Sequence, residues 1–212
     1  MKISLIINTA ALDPHALAQG GNMFRSAQYN SRAALLRSTL SDKLLDTFDE
    51  VIVAGVFEDC SYLRLWLQQG EGYNYVEVAP RFRDRRDALW QREIGARHAT
   101  GDILVFCHDD HRPGDNFGAI LDISEPWDLL IPKRVHGITG ATLINGSEAD
   151  PQYMGGHCLA MKRWLWAEVP WTSVDTEYWD VPMTKLWRSA GAELLWSDEV
   201  EHLDIEAEED ET

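Results

Sequence analysis

Short apolar runs alternate with longer amphipathic stretches through the first half of the chain. The apolar runs predict four strands, at Ile3 to Ile7, Glu50 to Ala54, Tyr75 to Val78 and Ile103 to Cys107. The stretches between them predict helices at about Arg25 to Leu40, Tyr62 to Gln68 and Arg86 to Ala99. This alternation is typical of an α/β protein with an open, mostly parallel sheet and helices on both faces.

A polar tetrapeptide, His108-Asp109-Asp110-His111, follows the apolar run that ends at Cys107. A parallel strand at this position delivers its last residues to the carboxyl edge of the sheet, where such folds bind their ligands. Adjacent aspartates repel each other unless a positive charge lies between them. A divalent cation bound to a nucleotide diphosphate would supply that charge, since Mg²⁺ prefers one or two carboxylates plus phosphate oxygens. The alternative is a polar turn, because turns are rich in Asp.

The segment before this strand carries a second pattern, formed by Arg92, Gly95, Ala99, Gly101 and Asp102. It resembles the segment Arg-Asn-x-Gly-x-x-x-Ala-x-Gly-Asp of GT-A glycosyltransferases, particularly family 2, which leads into an apolar strand and an Asp-x-Asp metal motif. In this chain Glu93 replaces the usual Asn, and His108 replaces the first Asp. The resemblance implies a single-domain, Rossmann-like GT-A fold, as in nucleotide-diphospho-sugar transferases.

Two downstream segments extend the resemblance over most of the chain. Gly155 to Arg163 is similar to the family's small-residue loop along the donor sugar, with the strand and helix that follow it. Trp179-Asp180, with Gly191 eleven residues after the Asp, resembles the Glu-Asp motif that opens a helix ending at Gly. Only the Asp of that motif is kept.

The resemblance implies a divalent cation, Mn²⁺ or Mg²⁺, as cofactor. Asp110 takes the family's best-kept ligand position, and His202 falls where many GT-A enzymes place a late metal-ligating His. His108 is either a ligand in place of a carboxylate or a residue that shapes the loop. A purely structural role for His202 stays equally open.

The resemblance also implies a nucleotide-sugar donor, with a UDP-sugar as the first candidate, at the ends of the first strands. In the family, the loop after the first strand and an acid after the second contact base and ribose. The donor-binding candidates are therefore Thr9, Ala10, Glu58, Asp59, Arg92, Asp109, Gly155 and Gly156. Either acid after the second strand also suits the N-cap of the next helix. The six arginines between Arg81 and Arg97 suit a diphosphate or, equally, a solvated helix face.

Asp180 is the candidate general base, because the matching Asp has that role in inverting members of the family. Sugar transfer would then invert the anomeric carbon, whereas a misaligned Asp180 would leave a retaining reaction open. Trp179 replaces the Glu of the motif and is the candidate acceptor-binding residue. The alternative role of Asp180 is that of a helix N-cap.

Length, charge and cysteine content narrow the class of protein. A chain of 212 residues with 45% hydrophobic positions suits one globular domain, predicted at residues 1–205, followed by an acidic disordered tail at 206–212. No stretch approaches the ~20 apolar residues needed for a membrane span. The net charge of -16 weakens attraction to DNA. Three cysteines without paired spacing favour reduced thiols and a cytoplasmic location.

The sequence thus predicts a metal-dependent hexosyl- or pentosyltransferase that uses a nucleotide-diphosphate sugar and an acceptor hydroxyl. The acceptor is open among a glycan, a lipid-linked sugar, a protein and a small molecule, with hydroxymethylated DNA as a further candidate. A metal-dependent phosphoesterase or nucleotidyltransferase using the tetrapeptide is one alternative class. A non-catalytic nucleotide- or carbohydrate-binding protein on a GT-A scaffold is the other, and it would explain the altered motifs.

Overall fold

The computed structural model describes residues 1–9, 36, 39–40, 42–55, 61–79, 81–82, 86–109, 111–137, 139–143, 157–176 and 178–204. Its strands are β1 Ile3–Thr9, β2 Glu50–Gly55, β3 Asn74–Glu77, β4 Ile103–His108, β5 His111–Pro113, β6 Leu129–His136, β7 Cys158–Lys162 and β8 Leu194–Asp204. Its α-helices are α1 Asp42–Thr47, α2 Ser61–Gln69, α3 Arg86–His98, α4 Arg163–Glu168 and α5 Asp180–Ser189. Short 3-10 helices cover Phe117–Leu121 and Trp171–Ser173.

The described strands form one mixed, mostly parallel sheet in the order β3-β2-β1-β4-β7-β6-β8-β5. Strands β3, β2, β1 and β4 run parallel to one another, and β6 is parallel to β8. Strand β7 is antiparallel to both of its neighbours, and β5 is antiparallel to β8. The chain is therefore a single α/β domain, as the strand–helix alternation predicts.

All four predicted strands are confirmed, within one or two residues at their ends, as β1, β2, β3 and β4. The helices predicted at Tyr62 to Gln68 and Arg86 to Ala99 are confirmed as α2 and α3. The helix predicted at Arg25 to Leu40 lies almost wholly outside the described residues, and so does the tail at 206–212. No helix in the described part of the chain is long and apolar enough to span a bilayer.

Hydrophobic cores cover both faces of the sheet. All seven residues of β1 are buried, with Leu5 and Ile7 in one cluster and Ile6 in the other. A strand buried on both faces shows a continuous apolar run instead of alternation, as β1 and β4 do. The two cores therefore fix β1 and β4 rigidly at the centre of the sheet.

Two motif glycines hold α3 close to the sheet. A Cβ atom on Gly95 would lie 2.5 Å from Cγ2 of Ile6, so α3 packs against β1 at a distance that only glycine allows. A Cβ on Gly101 would lie 2.7 Å from the backbone nitrogen of Ser4, in the tight turn that leads into β4. Gly95 therefore sets the distance between β1 and α3, the helix that carries Arg92, and Gly101 sets the turn between α3 and β4.

Candidate functional site

The carboxyl ends of β1 and β4 place a hydrogen-bonded chain of three side chains side by side. The parallel register pairs Asn8 with His108. The Nδ2 atom of Asn8 lies 2.8 Å from Nδ1 of His108, and Nε of Arg92 donates to Oδ1 of Asn8 at 3.0 Å. Arg92 and Asn8 are fully buried, whereas His108 is half-buried. Helix α3 thus places the guanidinium cation of Arg92 at the carboxyl edge of the sheet.

Two tryptophans enclose the Arg92 guanidinium. Its central carbon lies 4.9 Å from the ring centroid of Trp171 and 5.1 Å from that of Trp179. The two indoles meet edge to face, with centroids 5.3 Å apart, and Trp171 makes similar contacts with Phe106 and Trp187. Desolvated cation–π contacts of this kind are worth about 2 kcal/mol. The cluster joins the start of α5 to the end of β1.

Four histidines lie near the ends of β4, β5, β7 and β8. Ring centroids are 6.2 Å apart for His108 and His157, 4.6 Å for His111 and His157, and 5.4 Å for His111 and His202. The backbone N–H of His108 donates to the carbonyl of His157 at 3.1 Å, which aligns the start of β7 with the end of β4. The members of each neighbouring pair are therefore distant in the sequence, although His108 and His111 themselves are only three residues apart.

Burial keeps two of these histidines neutral. Desolvation and the nearby His157 lower the pKa of His111 to about 3, although Asp204 acts in the opposite direction. Desolvation likewise lowers the pKa of His202 well below its usual value, and positive charge on His111 or His157 adds to the effect. A neutral imidazole keeps a lone pair on one ring nitrogen, as a metal ligand must.

An ion pair lies beside this cluster on β6 and β8. Arg134 pairs with Asp204, and its Nε donates to Oδ2 of Asp204 at 3.1 Å. A register shift between Pro132 and Lys133 interrupts the β6–β8 pairing and brings His202 opposite Arg134. The bulge therefore places the buried end of β8, which includes His202, next to the other histidines.

The residues in hand fit a divalent cation only in part. No three His, Cys, Asp or Glu side chains within the described ranges are arranged to hold a metal. Neither ring nitrogen of His202 makes a hydrogen bond of normal geometry with the described residues; its approach to the Pro132 carbonyl falls outside that geometry. A buried, neutral His202 fits a ligand role. Asp110, the first candidate ligand, lies outside the described residues.

Trp179 and Asp180 lie at the start of α5. Trp179 occupies the N-cap position without a side-chain capping bond, and Asp180 is the first helical residue. The backbone carbonyl of Asp180 accepts a hydrogen bond from Oγ1 of Thr184 at 2.6 Å. The N-cap role that the sequence left open for Asp180 is therefore taken by Trp179. The indole of Trp179 is 8% exposed, and its described ring contacts are with Trp171 and Arg92.

A recess of about 230 Å³ is lined in part by Trp171. The Arg81 guanidinium lies over the rings of Phe82 and Trp90, with its central carbon 5.1 and 4.9 Å from their centroids. Arg86 pairs with Asp175 at 2.7 Å across the recess. Its remaining lining is Leu89, Trp171, Thr172 and Val174. The recess combines aromatic walls with a net positive charge and shares Trp171 with the Arg92 cluster.

The predicted site residues divide between described and undescribed parts of the chain. Thr9, Arg92, Asp109, His108, Trp179, Asp180 and His202 are described, whereas Ala10, Glu58, Asp59, Asp110, Gly155 and Gly156 lie outside the described residues. Thr9 ends β1 beside Asn8, and Asp109 is fully buried. The roles assigned to all of these residues stay predictions.

Sequence reasoning did not single out Asn8, His157 or Trp171 as site residues. Asn8 could have been identified from the sequence, because neighbouring parallel strands place the last residues of β1 beside those of β4. His111 belonged to the tetrapeptide already singled out. His157 lies in the segment Gly155 to Arg163 that resembles the donor-sugar loop, whereas Trp171 carries no local signal and is brought to this edge by the fold.

The four described arginines of the predicted cluster lie in different surroundings, and Arg83 and Arg85 fall outside the described residues. Arg81 and Arg86 line the recess, and Arg92 is buried between two indoles. Arg97 pairs with Glu93 on the same helix at 2.9 Å. Arg92 contacts the carboxyl edge of the sheet directly, through Asn8.

No family model matches the sequence, and no curated protein sequence is significantly similar to it. Solved structures do resemble the chain. Mannosyltransferase PcManGT from Pyrobaculum calidifontis, solved with GDP-Man and Mn²⁺, has a TM-score of 0.61 at 16% identity, over 99% of this chain and 58% of that one. TarS 1–349 from S. aureus has a TM-score of 0.59 at 13% identity, over 95% of this chain and 60% of that one. The chain thus spans about three-fifths of the length of both.

A third neighbour is of a different class. The 4-diphosphocytidyl-2C-methyl-D-erythritol synthase from Anaerococcus prevotii has a TM-score of 0.55 at 12% identity, over 93% of this chain and 88% of that one. These comparisons show the fold, which is that of GT-A glycosyltransferases and nucleotidyltransferases.

Proposed function

We propose that the protein transfers a sugar from a nucleotide-diphosphate sugar to an acceptor hydroxyl. The observation that carries this proposal is the arrangement of Asn8, His108 and Arg92 at the carboxyl edge of the sheet, beside the start of α5. In open α/β sheets this edge is the place where ligands bind. The structural neighbours support the donor class, since PcManGT was solved with GDP-Man and Mn²⁺, and TarS with UDP and UDP-GlcNAc.

Asp110 and His202 are the proposed ligands of a divalent cation, Mn²⁺ or Mg²⁺. His202 supports this assignment because it is buried, neutral and without a normal protein hydrogen bond among the described residues. When bound, the cation neutralises charge that develops on the leaving nucleoside diphosphate. The residues Thr9, Ala10, Glu58, Asp59, Arg92, Asp109, Gly155 and Gly156 are the proposed donor-binding set.

Asp180 is the proposed general base. Its carboxylate takes the proton of the acceptor hydroxyl while the hydroxyl oxygen bonds to the anomeric carbon and the bond from that carbon to the diphosphate oxygen breaks. The electron pair leaves with the diphosphate, and the sugar is transferred with inversion. Asp180 lies in the first turn of α5, next to Trp179. A base of this kind accelerates transfer by about 100 to 10,000-fold.

We propose that the acceptor enters from the side of Trp179 and Trp171. The recess lined by Arg81, Phe82 and Trp90 lies on this side and shares Trp171 with the Arg92 cluster. Aromatic walls suit sugar faces, and the guanidinium of Arg81 suits a negatively charged substituent. These features favour an anionic glycan or small molecule over hydroxymethylated DNA, whose long phosphate backbone would meet an acidic chain.

Nucleotidyl transfer is the second candidate function. It is favoured by one observation: the match to 4-diphosphocytidyl-2C-methyl-D-erythritol synthase covers 88% of that protein, against three-fifths of the two glycosyltransferases. In that reaction a sugar phosphate or polyol phosphate would attack a nucleoside triphosphate and release pyrophosphate. The same carboxyl edge would bind the nucleotide in both cases.

Binding and turnover assays separate these functions. Thermal unfolding with UDP-, GDP- and CMP-sugars and with CTP, each with Mn²⁺, identifies the nucleotide, because a ligand of the native state raises its stability. Sugar transfer requires nucleoside diphosphate release that depends on an acceptor, whereas nucleotidyl transfer requires pyrophosphate release from a triphosphate. Metal-dependent nucleotide binding with neither product across an acceptor panel would show a non-catalytic binding protein, and acceptor-independent phosphate release a phosphoesterase.

A further inference from the structure

Two of the three cysteines lie opposite each other on neighbouring strands. Cys107 on β4 and Cys158 on β7 are partners in the antiparallel register, although they are distant in the sequence. Both are buried, reduced thiols in the same hydrophobic cluster, so their side chains lie on the same face of the sheet. Cys60 lies outside the described residues. The spacing of the cysteines in the sequence gives no sign of this pairing, because only the fold places β7 beside β4.

The backbone hydrogen bonds beside the two cysteines define the type of pair that they form. Antiparallel partners alternate between hydrogen-bonded pairs and non-hydrogen-bonded pairs, and the side chains are closer in the second type. The backbone N–H of His108 donates to the carbonyl of His157 at 3.1 Å, so these two residues are a hydrogen-bonded pair. Cys107 and Cys158 are the next partners along the two strands and are therefore a non-hydrogen-bonded pair.

A pair of this type has the spacing that a disulfide needs. Its Cα atoms are about 4.5 Å apart, and disulfides span Cα separations of about 4.4 to 6.8 Å. Strands β4 and β7 both lie inside the sheet, with a hydrogen-bonded neighbour on each side, which keeps the two cysteines in register. A bond between their sulfur atoms therefore requires little movement of the backbone.

The thiol of Cys107 also makes a hydrogen bond that a disulfide could not make. Its Sγ donates to the carbonyl oxygen of His111 at 3.1 Å. This contact connects the end of β4 to the start of β5 across the polar tetrapeptide. An oxidised Cys107 has no S–H group, so oxidation removes this bond from the candidate site.

We infer that Cys107 and Cys158 are an oxidation site that closes to a cross-strand disulfide when the protein meets hydrogen peroxide. Peroxide transfers one oxygen atom to the first thiol, which becomes a sulfenic acid, and one water leaves. The sulfur of the second thiol then attacks the sulfenic sulfur. The S–S bond forms, the S–O bond breaks, and the departing hydroxide takes the thiol proton as a second water. Two thiols thus lose two hydrogen atoms, and one peroxide is reduced to two waters.

The position of the two cysteines suits a small oxidant and gives the bond a consequence. Cys107 is next to the last residue of β4, and Cys158 is the first residue of β7. Local opening of two strand ends is enough to admit peroxide to buried sulfur atoms. Resting on the proposed function, the disulfide weakens nucleotide binding, because the tetrapeptide loses the hydrogen bond from Cys107 to His111.

Peptide mapping of the peroxide-treated protein tests the pair directly. Trypsin separates the two cysteines, because it cuts after Lys133 and Arg134. We expect the peptides that contain Cys107 and Cys158 to be joined, with a mass lower by two hydrogen atoms, and to separate in dithiothreitol. Oxygen added to either cysteine without a link, failure of both to react, or a link to Cys60 would overturn the inference.

The Cys107→Ser variant in a Cys60→Ser background is the matched test, and Cys60→Ser alone is the control. Serine cannot form the disulfide but keeps an O–H donor for the carbonyl of His111. In the control, peroxide should raise the thermal midpoint by on the order of 10 °C, because the link restricts the unfolded chain. The Cys107→Ser protein should show no rise. A fall in the midpoint of the linked control would show that the native register does not accommodate the bond.

Calorimetry with UDP and Mn²⁺ measures the consequence for the candidate site. Oxidation of the Cys60→Ser control should lower the affinity by at least about threefold, and dithiothreitol should restore it. The Cys107→Ser protein should keep its affinity after peroxide treatment, and Cys158→Ala provides a second variant that cannot form the link.

The two parts of the inference fail separately. A linked protein with unchanged UDP affinity would overturn the effect of the disulfide on the site. Absence of UDP or GDP binding by the reduced parent protein would overturn that effect and the proposed function together, while the peptide map would still decide whether Cys107 and Cys158 pair.

Discussion

The Oε2 atom of Glu93 accepts a hydrogen bond from the backbone N–H of Trp171 at 3.1 Å and ties α3 to the 3-10 helix that carries Trp171. The same oxygen accepts from the Trp166 indole at 3.2 Å, and Oε1 accepts from Nε of Arg97 at 2.9 Å. Glu93 stands where the resembled family has Asn. A carboxylate, unlike an amide, accepts at both oxygens, so this replacement suits a site built from tryptophans.

The first prediction concerns the stability that Glu93 supplies. Glu93→Ala leaves the Trp171 N–H and the Trp166 indole N–H without their acceptor in a buried place, so we expect it to lower the free energy of unfolding by about 3 kcal/mol. Arg97→Ala should lower it by less than ~1 kcal/mol, because the Arg97 side chain is 55% exposed and its ion pair is screened. Urea denaturation measures both. Equal losses would show that the ion pair, not the tryptophan hydrogen bonds, dominates.

The second prediction concerns the close packing of α3 on β1. Gly95→Ala should destabilise the protein by about 1 to 3 kcal/mol, because the new methyl group would meet Cγ2 of Ile6 at 2.5 Å. Gly118→Ala is the control, since a Cβ at Gly118 has no atom within 4 Å among the described contacts. Thermal unfolding of the two variants provides the comparison. A Gly95→Ala protein as stable as the Gly118→Ala protein would mean that α3 shifts freely, and Arg92 with it.

The first half of the fold could be predicted from the sequence because its signals are local. Strands β1 and β4 are continuous apolar runs, and Gly95 and Gly101 mark places where the backbone approaches another strand closely. These residues pack against strands and helices that are adjacent in the βα succession, so the local sequence is enough to indicate them. The sequence therefore predicted the sheet, and the edge at which it places the candidate site stays a prediction.

The second half could not be predicted in the same way. Strand β8 runs from Leu194 to Asp204 through an acidic segment whose alternation is broken by exposed residues and by a register shift opposite Pro132. The acidic composition of this segment does not favour a strand, so β8 depends on its hydrogen-bonded pairing with β6. His157 and His202 meet the end of β4 only through β7 and β8, so no local pattern could group these histidines.

The third prediction concerns the pH dependence of stability in metal-free protein. His111 titrates near pH ~6.5 in the unfolded chain but has a pKa of about 3 when folded, and the pKa of His202 is also lowered. Below pH ~6.5 the unfolded state thus binds more protons than the folded state. The free energy of unfolding therefore decreases as the pH is lowered, by up to about 1.4 kcal/mol per pH unit for each histidine. Above pH ~6.5 these two groups add no pH dependence.

Urea denaturation in EDTA between about pH 7.5 and about pH 5 measures this slope. His202→Gln removes one of the two titrations and should flatten the slope below pH ~6.5. His98→Gln, at an exposed position on α3, should leave it unchanged. A slope that is the same in all three proteins would show that other groups cause the acid sensitivity.

The fourth prediction concerns the metal. Asp110→Ala should abolish the Mn²⁺-dependent part of UDP binding in calorimetry and leave the fold intact, because Asp110 is the proposed ligand at the end of β4. EDTA should have the same effect on the parent protein. Asp122→Ala, at an exposed residue after the 3-10 helix Phe117–Leu121, is the matched control. Unchanged metal-dependent affinity in Asp110→Ala would remove Asp110 from the site.

The last prediction separates the chemical role of Asp180 from its place in the helix. Asp180→Asn preserves size and a side-chain oxygen at the first position of α5, so stability should change by less than ~1 kcal/mol. Donor affinity should also be preserved, because the proposed base acts on the acceptor. Sugar transfer should fall by at least ~100-fold, since proton removal from the acceptor hydroxyl alone is lost. Single-turnover measurements with a productive acceptor provide the rate, and transfer within a few-fold of the parent would rule out Asp180 as base and favour a retaining reaction.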